Sequence, residues 1–179
     1  MSNETYGFNE PPFADLHDPR SVFSSRSHRR AVTCLCRAIG AHEPFVLLTG
    51  LAGVGKTVAV EAALAEAAPH VRATIVASAS MTREEFRERV LDGFAPASTD
   101  AAPAGGGLDA RLRAIAANGR AAVLVVDQAQ DLTAALLDDL RRLANLEADG
   151  HALLQIVLVG RPALEAVLAG PGGEALRQR

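Results

Sequence analysis

Apolar residues alternate between two regimes along the chain. Four short runs, Phe45-Val46-Leu47-Leu48-Thr49, Val71-Arg72-Ala73-Thr74-Ile75-Val76-Ala77, Ala121-Ala122-Val123-Leu124-Val125-Val126 and Leu153-Leu154-Gln155-Ile156-Val157-Leu158-Val159, predict strands, the first and third with the apolar content of strands buried in a parallel sheet. Between them the apolar spacing lengthens to three and four. Ala31, Leu35, Ala38 and Ile39 predict a helix over 25–40, and the residues from Lys56 onward predict a second. Thr82 with Glu85 three positions on forms a capping box for a helix carrying Phe86, Val90 and Leu91. A helix over 108–118 precedes the third strand, and Leu132, Leu136, Leu140, Leu143 and Leu146 mark an amphipathic helix after it. Pro162 suits the first turn of a last helix.

Strands alternating with helices predict an α/β fold, a three-layer sandwich around a parallel sheet. Residues 1–24 read as an irregular lead-in bearing proline and phenylalanine, 25–179 as a single domain core, and 94–107, rich in Ala, Pro, Ser and Gly, as a flexible surface loop. Composition adds limits. A hydrophobic content of 49% fits a folded domain, and a net charge of −3 gives no general pull toward nucleic acid or anionic membrane. No apolar run approaches the length of a membrane span, and the start lacks a basic and apolar leader, so the expected location is cytoplasmic, without membrane insertion. Cys34 and Cys36 lie two apart in a predicted helix, where their side chains diverge and favour neither a disulfide nor a metal pair.

Candidate chemistry begins at Lys56, the single lysine among 18 basic residues. It stands in Gly50-Leu51-Ala52-Gly53-Val54-Gly55-Lys56-Thr57, between the first strand and a helix, which is the spacing of a phosphate-binding P-loop. Glycines let the backbone turn tightly and approach an anion. The helix N-terminus beyond adds partial positive charge. Lys56 would neutralise the outer phosphates of ATP, and Thr57 would hold magnesium through its hydroxyl. The bland alternative is a glycine-rich turn that binds nothing.

The second candidate is Asp127, at the end of the third strand. Ligands of parallel α/β sheets sit beyond the carboxyl ends of the strands, where Gly50 and Asp127 would both stand. A carboxylate after a run of valines needs a partner, and the partner expected is the magnesium held by Thr57, through a water. A surface aspartate capping the next segment is the alternative. Gln128 occupies the degenerate position of a catalytic base. An amide can orient water but cannot take its proton, so ATP binding is expected to persist with slow or absent hydrolysis. Asp131, four positions along, is the other nearby carboxylate and is expected to point elsewhere.

Tyr6-Gly7-Phe8 with Pro12-Phe13, Asp18-Pro19-Arg20, Ser27-His28, the glycine loop, Val125-Val126-Asp127-Gln128-Ala129-Gln130, 140–147 and Leu153-Leu154-Gln155-Ile156-Val157-Leu158-Val159-Gly160-Arg161-Pro162 together resemble the AAA+ ATPase domain of general secretion pathway protein A (ExeA-type) proteins. The resemblance covers almost the whole chain. It implies an AAA+ P-loop NTPase with sheet order 5-1-4-3-2, ATP and magnesium as ligands, and homo-oligomers whose sites lie between subunits. It also implies a partner in a secretion or envelope-assembly system; similar domains act as DNA-bound regulators of transposition.

This chain departs from the family at Gln128 and at Arg161, the polar sensor position at the end of the fourth strand. Two roles are open to Arg161, contact with a γ-phosphate or a surface ion pair. The chain also stops before a fifth strand and helical lid, which would leave 45–48 as a hydrophobic sheet edge. Arg179 matches the region of an arginine finger, or else belongs to a disordered terminus. His28 resembles a position near the adenine pocket, or else faces solvent. Arg26, Arg29 and Arg30 form either a solvated helix end or a phosphate-backbone contact of the DNA-regulating kind.

Overall fold

The computed structural model describes residues 25–78, 81–96, 106–148, 150–170 and 173. The lead-in, most of the 94–107 loop and Arg179 lie outside them. Four parallel strands, β1 (Phe45–Thr49), β2 (Val71–Ala77), β3 (Ala121–Asp127) and β6 (Leu154–Gly160), form one sheet in the order β1-β6-β3-β2. A short hairpin, β4 (Glu147–Ala148) with β5 (His151–Ala152), precedes β6. Setting the hairpin aside, this is the 1-4-3-2 part of the expected order. Among the described residues β1 is an edge, and Leu47 on it is 46% exposed.

Alternation along the two central strands builds two cores. Val123, Val125, Val157 and Val159 face Leu35 and Ile39 of α1 (Arg26–Gly40) and Val60 and Ala63 of α2 (Lys56–Ala67). Ala122, Leu124, Val126, Ile156 and Leu158 face the opposite way, toward α3 (Arg83–Gly93), α4 (Leu108–Ala117), α5 (Ala134–Ala144) and α6 (Ala163–Ala169). Side chains that alternate by two along a strand reach both layers, which is why these runs are apolar at every position but Gln155.

Local signals hold in detail. Thr82 and Glu85 form both hydrogen bonds of the capping box at α3. Pro162 is the N-cap of α6, with φ −53°. Leu132 and Leu146 lie just outside α5, whose span is shorter than the leucine spacing predicts. Phe94 departs from the surface loop expected over 94–107: it is 1% exposed, because it ends α3 and packs into the second core. Cys34 and Cys36 are unpaired. Burial, aided by a hydrogen bond to the Glu66 carboxylate, pushes the Cys36 thiol up.

An ion-pair fork fastens α3 to α5. Asp139, 4% exposed, accepts from Arg83 (Nε 2.7 Å, Nη2 2.6 Å) and from Arg87 (Nε 3.1 Å, Nη2 2.7 Å). Hydrogen bonds from Arg83, then from Arg87, outweigh burial and hold its carboxyl down to about 2. A carboxyl depressed on folding stabilises the native state above its unfolded pKa and loses that contribution as pH falls through the folded value. Asp139→Asn is therefore expected to cost about 2 kcal/mol at pH 7. Urea denaturation should show the difference from the parent shrinking from about pH 4 to pH 2.

Candidate functional site

At the carboxyl end of the sheet, the Gly50 N–H donates to the Gly160 carbonyl (3.2 Å), so the glycine loop leaves β1 beside the end of β6. Gly53 (φ 77°) and Gly55 (φ 82°) take the left-handed region that glycine adopts without steric cost. Gly55 is the N-cap of α2 and offers no side chain to cap it, so no side chain lies over the first-turn donors. Lys56 Nζ lies across the loop, donating to the carbonyls of Gly50 (3.0 Å) and Leu51 (2.8 Å). A Cβ at Gly50 would stand 3.2 Å from Val54 Cγ2, a tight approach, and 3.6 Å from Lys56 Cδ, an ordinary contact, so it is the Val54 side chain that glycine there accommodates.

Thr57 Oγ1 donates to Asp127 Oδ2 at 2.6 Å, and Asp127 Oδ1 accepts the Gln128 N–H at 2.7 Å. The carboxylate is thus satisfied directly by Thr57. Both are hard oxygen donors on the wall of one cavity of about 700 Å³, a set that suits magnesium shared with phosphate oxygens. Among the described residues no protein-only cluster of three or more His, Cys, Asp or Glu could hold a metal. An ion here would take its remaining ligands from water and nucleotide.

Gln128 follows Asp127 in the left-handed region (φ 56°, ψ 37°) and opens a 3-10 turn, Ala129–Asp131. Ser78, 1% exposed at the end of β2, pins this turn: its hydroxyl donates to the carbonyls of Asp127 (3.2 Å) and Gln128 (2.9 Å). The reversal brings Asp131 onto the wall of the same cavity, against the expectation that it points elsewhere. Gln130 bridges the turn to β6, its Oε1 accepting the Arg161 N–H (3.0 Å) and its Nε2 donating to Asp131 Oδ2 (2.9 Å). A Cβ at Gly160 would come within 2.9 Å of Gln130 Oε1, so this bridge needs glycine there.

Of the residues singled out in the sequence, Ala52, Gly53, Gly55, Lys56, Thr57, Asp127, Gln128 and Arg161 line this one cavity. Gly50 lies beneath Lys56, while Leu51 and Val54 are 70% and 56% exposed and stand outside the lining. His28 lies beside Gly55, and both its ring nitrogens are buried, without a hydrogen-bond partner among the described residues, so they do not face solvent. Arg26, Arg29 and Arg30 are exposed at the start of α1. Sequence reasoning missed Ser78, Gln130 and the placement of Asp131, since each depends on the left-handed turn at Gln128.

A family model described as an AAA domain matches residues 39–168. General secretion pathway protein A of Aeromonas hydrophila is 33% identical over 187 aligned residues, which cover all of this chain and 33% of that protein. The chain thus spans about a third of the length of the curated relative it matches. Among solved structures, Cdc6p from Pyrobaculum aerophilum aligns with TM-score 0.63 and 19% identity, over 84% of this chain and 42% of that one. The Aeropyrum pernix ORC2 protein, in ADPNP–ADP complexes, aligns with TM-score 0.55 and 16% identity, over 87% and 44%. These two likenesses concern the fold. Among the described residues no helix is long and apolar enough to cross a membrane.

Proposed function

The chain belongs to the AAA domain family, and we propose that it binds ATP with magnesium in the cavity between the glycine loop and Asp127 and hydrolyses it slowly. The observation that carries this is the Thr57–Asp127 pair at 2.6 Å beside an uncapped helix start and Lys56. Magnesium held there would neutralise charge on the β- and γ-phosphates. Lys56 exchanges its two loop carbonyls for phosphate oxygens, a stronger charge-assisted pairing. His28, against Gly55, is close enough to the loop to pack beside the bound nucleotide.

Slow turnover follows from Gln128, whose amide orients water and leaves proton acceptance to Asp131. The likeness to a general secretion pathway protein supports a role as an oligomeric, cytoplasmic accessory of a secretion or envelope-assembly system. Titration of the chain with ATP and magnesium tests the binding step. Lys56→Ala is expected to weaken affinity about tenfold to a hundredfold, the worth of a charged hydrogen bond. Equal affinity in parent and variant, or no binding by the parent, would sink the proposal.

A further inference from the structure

A second cavity, of about 930 Å³, opens at the amino end of the sheet, opposite the glycine loop. The turns after α1, α2 and α4 and the hairpin strand β5 enclose it. Among the described residues, the ionisable side chains on its wall are His42, His70, Arg120 and His151. The wall carries one fixed positive charge, on Arg120, and three imidazoles that can donate hydrogen bonds, a set that suits an anion.

Three further observations point to a ligand. Gln155, 3% exposed, is the polar residue of an otherwise apolar β6; its Nε2 donates to the carbonyls of Ile39 (3.2 Å) and Glu43 (3.3 Å), while its Oε1 is buried with no partner. Arg120 Nη2 donates to the Val71 carbonyl (2.9 Å), yet its Nε is likewise buried and unpartnered. An unused acceptor and an unused charged donor thus belong to two residues of one wall, both atoms lying behind its surface, and buried polar groups ordinarily find partners. His42 supplies the third. It follows the C-cap of α1 with φ 56°, where glycine is the default residue. Among the described residues only His42 and Gln128 are non-glycine residues with positive φ, and each stands on the wall of one of the two cavities. Such strain gathers where a side chain is needed.

We propose that this cavity is a second ligand site, taking a small oxyanion that carries its own hydrogen-bond donor, such as a hydroxy acid or a hydrogen phosphate. The oxyanion pairs with Arg120, which is partly exposed, and with the histidine rim; a side-chain rotation that brings the buried Gln155 Oε1 to the cavity surface lets it accept from the ligand's donor. The site is independent of nucleotide binding at the other end of the sheet.

The test is to titrate the full chain with inorganic phosphate and, separately, with citrate, following the histidine imidazole resonances by NMR at fixed pH and with chloride matching the ionic strength. Saturable shifts at His42, His70 and His151 are expected with at least one anion. Shifts with phosphate alone assign a phosphoryl ligand, and shifts with citrate alone a hydroxy acid. Arg120→Gln should weaken binding about tenfold. His70→Ala, which removes an exposed rim imidazole and leaves the sheet intact, should weaken it about threefold even if the first variant folds poorly. His28, beside Gly55, reports the glycine loop separately. Shifts confined to His28, linear drift equal to that in chloride, or the same affinity in both variants would mean an adventitious ion only and overturn the proposal.

Discussion

Gln128→Glu is expected to raise the rate of ATP hydrolysis by a factor between about a hundred and ten thousand, the range over which a positioned general base acts. The two side chains have nearly the same shape, and the turn that presents them is fixed through the backbone. Ser78 Oγ holds the Gln128 carbonyl, and Asp127 Oδ1 holds its N–H, so neither contact depends on the side-chain amide. The new carboxylate would share its cavity with Asp127 and Asp131. Like charges raise one another's pKa, which moves a base toward the operating pH and favours proton transfer. The same repulsion opposes the anionic nucleotide only weakly, because magnesium and Lys56 offset it. ATP affinity should therefore stay within about threefold of the parent. Steady-state phosphate release and equilibrium titration, run side by side, separate the two effects. Brisk turnover in the parent, or no gain in the variant, would show that Gln128 does not limit the reaction.

The layered fold is legible in the chain because the strands are buried on both faces. A run such as Ala122 to Val126 has to be apolar throughout, since alternate side chains enter different cores. The glycine loop is legible because its conformation demands particular residues: Gly53 and Gly55 sit at positive φ, and Gly50 leaves room for the Val54 side chain. Three features were hidden for a common reason, that composition does not encode direction. Phe94 stands among residues typical of loops yet closes α3 into the core. The hairpin at Glu147–Ala148 and His151–Ala152 is too short and polar to show periodicity. Asp131 lies four positions beyond Asp127, a distance that along a continuing strand would carry it away from the site. The left-handed residue at Gln128 instead folds the chain back within three residues. A glutamine at a position that favours glycine or asparagine gives little warning of such a reversal.

That reversal brings Asp131 onto the cavity wall, so under the proposed function residual hydrolysis would rest on it. It is the carboxylate other than Asp127 on the cavity wall, and Asp127 is already engaged at both oxygens, by the Thr57 hydroxyl and the Gln128 N–H. Asp131 is exposed, with Oδ2 accepting from Gln130 Nε2 at 2.9 Å. Asp131→Asn retains an oxygen for Gln130 and removes the capacity to accept a proton. The turn and the Gln130 bridge to Arg161 should survive, so ATP affinity and thermal midpoint should stay close to the parent's. Turnover is expected to fall a further hundredfold or so. The decisive comparison is the double variant. With glutamate at 128 the reaction no longer relies on Asp131, and Asp131→Asn should then cost less than about threefold, a strong departure from additivity between neighbours that share one task. If Asp131→Asn leaves the parent's turnover unchanged, water supplies the proton acceptor unaided. If it costs the same with either residue at 128, Asp131 acts by holding the turn in place and not as a base.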